Sequence, residues 1–239
     1  MSPKLEQGVS SGDPEIFKFG GSLLFESRSP HLNIEQGEKL LFLLQQQWEE
    51  GHAVVAIIGG GELARIRTED AKQFGIQKED HLDAIGIGIS KNNARILALT
   101  MEERGLPAVV LSGNTRTYPK DRMIFRGGTE PGHTTDYVAV EAAKALRAPL
   151  VFVLSNTDGF LHSDKDGHLT SEVVPELSLS DYLKTAPFHS PGIHTPLDRP
   201  AAELALQSGI TVVLLGRDLD NVRACMRGEQ FIGTIFHPK

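Results

Sequence analysis

The chain has almost no cysteine and no long apolar run, and both absences limit what it can be. Of its 239 residues only Cys225 is a cysteine, so no disulfide can form within the chain and a cysteine-based metal site is disfavoured. A single cysteine fits a reducing compartment. No stretch approaches the roughly 18 consecutive apolar residues that a transmembrane helix needs. We therefore expect a cytoplasmic protein without a membrane partner.

Positive charge is also scarce. Lysine and arginine number 24 against 31 aspartate and glutamate residues, which gives a formal net charge of -7. This balance provides no broad basic surface for nucleic acid. A small anionic ligand stays compatible with it, because a few cations and backbone amides can outweigh the overall sign locally.

Short apolar segments alternate with longer helical ones. Strands are predicted at 15–19, 52–58, 108–111, 123–125, 150–154, 211–215 and 231–236. Helices are predicted at 34–50, 80–104 and 137–146, with a hairpin near 163–174. Because the strands are continuously apolar, they indicate a mainly parallel sheet covered by helices on both faces. Gly86 and Gly88 inside the second of these helices predict close packing against a neighbour.

Glycine-rich turns follow several of these strands. They read FGGSL, IIGGGELAR, RGGTEPGHTTD and LSNTDGF. The carboxyl ends of parallel strands meet at one edge of a sheet, and glycine turns and helix N-termini present backbone N–H groups to anions. One such turn alone is usually only a tight turn, whereas several at one edge indicate a phosphate site. The P-loop, dinucleotide and protein-kinase signatures are absent.

Lys18 is the one charge inside the apolar strand IFKF, two residues before Gly20. A lysine at this position can reach over the glycine turn and neutralise charge on a transferring phosphoryl group. The structural alternative is a lysine that extends from the strand edge into solvent. Asp136 begins a helix after two threonines, where it can cap the helix or orient Lys18 or a magnesium ion.

The motifs resemble those of the amino acid kinase superfamily, and within it the uridylate kinases of the archaeal type. FKFGGSLL, IIGGGELAR, HLDAIGI, GGTEPGHTTD, LSNTDGFLHSD, LDRPAAELALQSGI and RGEQFIGTI occur in the order and spacing of that family over residues 16–238. The resemblance implies a three-layer αβα sandwich with a central mainly parallel sheet. It also implies ATP-dependent phosphoryl transfer to a nucleoside monophosphate, UMP and ATP giving UDP and ADP. Mg²⁺ would assist, and small-molecule nucleotides would be the partners of a homo-oligomer, a hexamer in many relatives.

The resemblance also implies a domain organisation. It gives one domain over 16–239. The polar composition of the first 15 residues separately predicts a disordered leader over residues 1–15. The acceptor would lie over about 16–145 and ATP over about 146–239.

The same resemblance assigns roles to individual residues. Lys18 and Asp136 match the catalytic lysine and the aspartate that organises it. The residues that match the ATP site are Gly20, Gly21, Ser22, Gly61, Arg65, Ser155, Asn156, Phe160 and Asp164. The residues that match the acceptor site are Gly60, Asp83, Thr129, Gly132, His133, Thr134 and Thr135. Asp83 would bind the ribose, and no dedicated metal ligand is assigned.

Several positions depart from the family pattern, and three of them bear on the site. Leu161 replaces a tyrosine near the adenine, a role that Phe160 could take over. Arg126 stands where an uncharged residue is usual, and we expect it to add a cation near the acceptor phosphate. Arg199 replaces a common proline, and the resulting LDR resembles the molybdenum-storage proteins.

Two alternatives to a UMP kinase therefore stay open. The first is a nucleotide-binding relative, molybdenum-storage-like or regulatory, that no longer phosphorylates UMP. His189 and His194 could then be oxyanion or metal ligands, although solvated loop histidines are the simpler interpretation. The second is a kinase for another small phosphate acceptor. Arg65, where isopentenyl phosphate kinases usually carry a histidine, and Asp83 both disfavour that alternative.

Overall fold

The structure is a computed structural model that describes residues 2–5, 12–25, 29–113, 117–163, 169–185 and 197–239. The segment 1–15, predicted as a disordered leader, has described residues at both ends that contact the domain. Leu5 is buried in the core, and the carbonyl of Pro3 accepts a hydrogen bond from the amide of Phe231 at 3.3 Å. The first strand begins at Pro14.

Strands and helices alternate through most of the described chain. In chain order the elements are β1 (Pro14–Phe19), α1 (Gly21–Leu24), α2 (Ile34–Glu49), β2 (Ala53–Ile58), α3 (Gly61–Gln73), α4 (Glu79–Glu103), β3 (Ala108–Val110), β4 (Met123–Arg126), α5 (Thr135–Leu146), β5 (Leu150–Leu154), β6 (Leu161–Ser163), β7 (Leu169–Val173), β8 (Glu176–Ser178), α6 (Leu179–Thr185), α7 (Arg199–Ser208), β9 (Thr211–Leu215), α8 (Leu219–Met226) and β10 (Gly233–His237).

The central sheet is mixed and mostly parallel. Its strand order is β3-β4-β2-β1-β5-β9-β10-β8, and a separate hairpin pairs β6 with β7. The first six strands in this order, β3, β4, β2, β1, β5 and β9, run in one direction. The next strand, β10, runs antiparallel to β9. The carboxyl ends of β1, β2, β4, β5 and β9 therefore meet at one edge. The predicted α/β class with a mainly parallel sheet is confirmed.

Two apolar clusters fill the spaces above and below the sheet. One joins Phe17 and Phe19 of β1 to inner faces of α2, α4 and α8. The other joins Ile16 of the same strand to α5, α6 and α7. Successive strand residues point to opposite faces, so the part of a strand that lies between two cores is apolar on both faces. The charged residues of β1, Glu15 and Lys18, stand near its two ends. Cys225 is buried in α8, as predicted, and burial raises the pKa of its thiol to about 12.

Helix ends follow the expected capping chemistry. The Asn33 side chain accepts from the Gln36 amide at the start of α2, and the Thr134 hydroxyl accepts from the Tyr137 amide at the start of α5. Among the helices that the structure describes, none combines the length and apolar character needed to cross a membrane.

The expectation for Gly86 and Gly88 is wrong. A Cβ built on either residue would meet no atom within 4 Å in the described structure. This part of α4 therefore presents its glycines to open space, and they do not serve a close approach.

Candidate active site

Three glycine- or serine-containing turns begin directly at the carboxyl edge of the sheet. The amide of Gly20 donates to the last carbonyl of β5 at 2.9 Å, and the amide of Gly59 donates to the last carbonyl of β1 at 3.0 Å. The amide of Ser155 donates to the last carbonyl of β9 at 2.8 Å. Each turn is thus held by the strand beside its own, and the predicted convergence of these segments at one edge is observed.

The first two glycine turns touch each other through their backbones. A Cβ on Gly21 would lie 2.0 Å from the nitrogen of Gly61, and one on Gly59 would lie 2.6 Å from the nitrogen of Gly21. Gly61 has φ +67°, and a Cβ there would meet the Phe25 ring at 2.3 Å. Only glycine fits these positions. The result is a side-chain-free surface of backbone amides, which suits a phosphate group.

Lys18 lies beside this surface and contacts Asp136. The distance from Lys18 Nζ to Asp136 Oδ1 is 2.6 Å, and the two side chains are 13% and 12% exposed. Lys18 occupies the centre of the sheet, opposite Ile57 of β2 and Val153 of β5. Asp136 lies in the first turn of α5. The structure therefore brings together the two residues predicted to be catalytic, in a largely desolvated ion pair.

Asp198 joins this pair, although the sequence interpretation gave it no role. One carboxyl oxygen accepts from the Thr134 hydroxyl, and the other accepts from the Ala201 amide at 2.9 Å, which caps α7. Burial, and next the nearby charge of Asp136, raises the pKa of the Asp198 carboxyl. Asp198 thus links the N-termini of α5 and α7 next to Lys18. In the sequence, Asp198 could have been recognised as a helix N-cap, because it stands two residues before Pro200 at the start of a helix.

The predicted acceptor loop packs against α4. Asp83 accepts from the Gly132 amide at 2.8 Å, and the ring of His133 stacks on Tyr137 with centroids 4.0 Å apart. The Thr129 hydroxyl is buried without a hydrogen-bond partner in the described structure. The loop is therefore shaped by Asp83 and leaves one buried polar group available to a ligand.

Two further residues of α4 support the turns and were missed from sequence. Asn93, which is buried, donates to the carbonyls of Gly59 and Gly60 at 2.9 and 3.2 Å. The Ser90 hydroxyl accepts from the Gly128 amide at 2.8 Å. Both are polar residues on the otherwise apolar inner face of α4, and this exception to the pattern could have identified them from sequence.

The predicted ATP residues fall into several environments. Asn156 contacts the first glycine turn, because its Nδ2 donates to the Ser22 carbonyl at 3.0 Å. Arg65 is half-exposed and pairs with Glu62 at 2.8 Å, near the start of α3. Asp164 lies outside the described residues, as do His189 and His194.

Phe160 packs into an aromatic group beside the hairpin. Its ring meets Tyr182 edge-on, with centroids 5.6 Å apart, and lies 6.2 Å from the ring of Phe236. These contacts fix the ring against the core. Its role in holding a base, in place of the tyrosine that Leu161 replaces, stays a prediction.

The expectation that Arg126 adds a cation near the acceptor phosphate is wrong. The residue is 1% exposed, and its guanidinium donates to the Tyr118 hydroxyl and the Gly113 carbonyl, each at 2.7 Å. Glu141 of α5 lies 3.8 Å away. Alternation along β4 sends Arg126 into the α5 side of the sheet, where it fastens the loop after β3.

Arg199, the second unusual arginine, joins two helices. It donates to the Leu183 carbonyl of α6 at 2.6 Å and to Glu203 of α7 at 3.1 Å.

Comparison with known proteins gives one consistent result. The amino acid kinase family profile matches residues 15–216. The chain is 31% identical to a uridylate kinase of Pyrococcus abyssi over 206 residues, which is 84% of this chain and 89% of the relative. The crystal structure of uridylate kinase from Archaeoglobus fulgidus is 25% identical with a TM-score of 0.65, covering 92% of this chain and 99% of that one. UMP kinase from Bacillus anthracis shares the fold, with a TM-score of 0.74 at 18% identity over 96% of this chain and 98% of that one. The motif resemblance is confirmed, and the chain belongs to the amino acid kinase family.

Proposed function

We propose that the protein is an ATP-dependent UMP kinase that transfers the γ-phosphoryl group of ATP to UMP and releases UDP and ADP. The observation that carries this proposal is the contact between two glycine turns beside the Lys18–Asp136 pair at the carboxyl edge of the sheet. The similarity to uridylate kinases of other organisms favours UMP as the acceptor. It also favours a kinase over a nucleotide-binding relative without phosphoryl transfer.

The reaction joins two anions, and its main demand is charge neutralisation. A nucleotide phosphate is already ionised at neutral pH, so the protein needs no general base to activate it. Asp136 holds the Lys18 ammonium at 2.6 Å in a site with little water. An ammonium fixed in this way stabilises the charge that develops on the transferring group, without reorganising during the reaction.

The backbone supplies most of the phosphate contacts in this proposal. The first glycine turn contains Ser22, whose carbonyl accepts a hydrogen bond from Asn156, and both residues match the ATP site. The first two glycine turns would therefore offer their amides to the ATP phosphates. The Thr129–Thr135 loop and the N-terminus of α5 would hold the acceptor phosphate. Asp83 uses one oxygen to hold Gly132, and its exposed side chain leaves the other for a ribose hydroxyl. The acceptor would lie over the half containing residues 16–145. ATP would lie over 146–239, with its phosphates reaching the first two glycine turns.

Magnesium would neutralise the ATP phosphates when bound with them. The described residues contain no group of three or more histidine, cysteine, aspartate or glutamate side chains that could hold a metal. Asp136 and Asp198, the carboxylates beside Lys18, would be the side chains that could contact such an ion. A hexameric state belongs to the same proposal, because it rests on the family resemblance. The cytoplasmic location is also a proposal, and it rests on the single cysteine and the lack of a long apolar run.

A panel of phosphate acceptors tests the proposal. With Mg²⁺ and ATP, the purified protein should convert UMP to UDP faster than it phosphorylates CMP or isopentenyl phosphate. Formation of ADP and UDP can be followed by chromatography. If ATP binds but no acceptor is turned over, a storage or regulatory role replaces the kinase. A preference for another acceptor would reassign the substrate.

A further inference from the structure

The carboxamide of Asn156 is held at both ends. Its Nδ2 donates to the Ser22 carbonyl at 3.0 Å, and its Oδ1 accepts from Nη2 of Arg217 at 2.8 Å. The three residues follow β5, β1 and β9, which are neighbours in the sheet. One chain of two hydrogen bonds therefore links the ends of three adjacent strands at the edge that carries the glycine turns.

Arg217 determines which way this carboxamide faces. The oxygen and nitrogen of an amide have nearly the same shape, so their orientation is set by their partners. A guanidinium group only donates hydrogen bonds and a carbonyl only accepts them. The oxygen of Asn156 must then face Arg217, and its nitrogen must face Ser22. Without Arg217 the carboxamide can turn, and the bond to the first glycine turn loses its orienting partner.

The surroundings of Arg217 set it apart from the other exposed arginines. Arg65 and Arg227 each pair with a carboxylate on their own helix or just beyond it. In the described part of the chain Arg217 has no carboxylate partner, and its side-chain bond is to the neutral Asn156. Gly216, immediately before it, approaches the loop after β5 so closely that a Cβ would lie 2.0 Å from Asp158 Oδ1. The arginine thus starts from a backbone position fixed against the same loop that carries Asn156.

We propose that Arg217 is a positioning residue for ATP. Acting through Asn156, it holds the turn at Ser22 in the geometry that receives the triphosphate. The inference rests on the proposed function, because that function places ATP over this turn.

The first test separates the two substrates. Arg217→Ala should raise KM for ATP about 5- to 10-fold, the effect of losing one charge-assisted hydrogen bond at an exposed site. KM for UMP and kcat should stay within about twofold, because the acceptor loop and Lys18 are untouched. Arg217→Lys keeps a donor and the charge, and should recover most of the loss. The matched control is Arg227→Ala just after α8, which should leave all three constants unchanged.

The second test asks whether Arg217 acts through Asn156. If it does, the double variant with Arg217→Ala and Asn156→Ala should bind ATP no more weakly than Asn156→Ala alone. Additive losses would mean that Arg217 contacts the nucleotide directly, and would overturn the positioning role. An equal rise in KM for both substrates, or an unchanged KM for ATP, would overturn it as well.

Direct binding keeps this inference distinct from the proposed function. Calorimetry with a non-hydrolysable ATP analogue measures affinity without any acceptor. If the wild-type protein phosphorylates nothing, the proposed function fails. A weaker analogue affinity in Arg217→Ala, and not in Arg227→Ala, would still support the inference, whereas equal affinities would refute it.

Discussion

Glu15 is a buried carboxyl group at the opposite edge of the sheet from the proposed site, and its protonation should make the stability of the protein depend on pH. It is 1% exposed, and burial, followed by repulsion from Glu50, raises its pKa from 4.5 to about 8. With its nitrogen turned toward Glu15, the Gln47 carboxamide lies 3.0 and 3.1 Å from the two carboxyl oxygens. His52 Nδ1 lies 3.6 Å away, which is beyond hydrogen-bond range. Among the described residues no lysine or arginine pairs with this carboxyl group, so burial favours the neutral acid.

The sign of the pH dependence follows from proton binding. Between about pH 4.5 and about pH 8 the folded protein keeps a proton on Glu15 that the unfolded chain has lost. The free energy of unfolding therefore falls as pH rises through this range. The stability that comes from burying Glu15 in its neutral form is fully present only below about pH 4.5. At about 1.4 kcal/mol per pH unit, the shift sets an upper limit of about 5 kcal/mol. We expect about 2–4 kcal/mol, since relaxation and water penetration reduce burial penalties.

Glu15→Gln removes the titrating proton while keeping the shape of the side chain. Urea unfolding between pH 5 and 9, followed by fluorescence of the single tryptophan, Trp48, measures the effect. As pH rises, the free energy of unfolding of the variant should increase relative to that of the wild type. Near pH 8.5 it should be higher by about 2–4 kcal/mol. Glu49→Gln changes an exposed carboxylate on α2 and serves as the control. Parallel pH profiles for the wild type and Glu15→Gln would refute the reasoning.

Two predictions concern the proposed site itself. Lys18→Met should lower kcat by about 100-fold or more, because it removes a transition-state charge contact of about 3 kcal/mol. Single-turnover rates would check this, and circular dichroism would show whether the variant is folded. An unchanged rate would mean that Lys18 takes no part in the reaction. Gly21→Ala should lower stability by about 2 kcal/mol or more, since its Cβ would lie 2.0 Å from the nitrogen of Gly61. Thermal unfolding measures the loss, and a wild-type melting temperature would show that the two turns can separate freely.

The fold could be predicted from sequence because its strands have an unusual pattern. AVVAII and LVFVL are apolar at every position, and only a strand covered on both faces needs that. The observed strands lie within a few residues of the predicted ones. The short helix α1, the edge strand β8 and the reversed direction of β10 were not predicted, because short elements at edges depend on packing more than on periodicity.

The site could be predicted where sequence neighbours act together, and not where distant residues meet. Lys18 stood out because it is a charge in an apolar strand followed by two glycines. Asn93, in contrast, lies 34 residues from the Gly59 carbonyl that it binds, and Asp198 lies 64 residues from Thr134. Nothing local marks such pairs. The side chain of Arg126 was wrongly predicted to lie near the acceptor phosphate, because the prediction used its position in the motif and not the alternation of side chains along β4.

The distribution of charge at the carboxyl edge shows how a protein of net charge -7 can attract two anions. Arg65 pairs with Glu62, and Arg126 is buried against Tyr118 and Glu141, so neither offers its full charge to a ligand. The raised pKa of Asp198 reduces the negative charge next to Lys18 at a given pH. Attraction then rests on backbone amides, on Lys18, and on Arg217, which has no carboxylate partner in the described part of the chain. Such fixed dipoles need no counterion that binding would have to displace, which is why glycine rather than arginine dominates these turns.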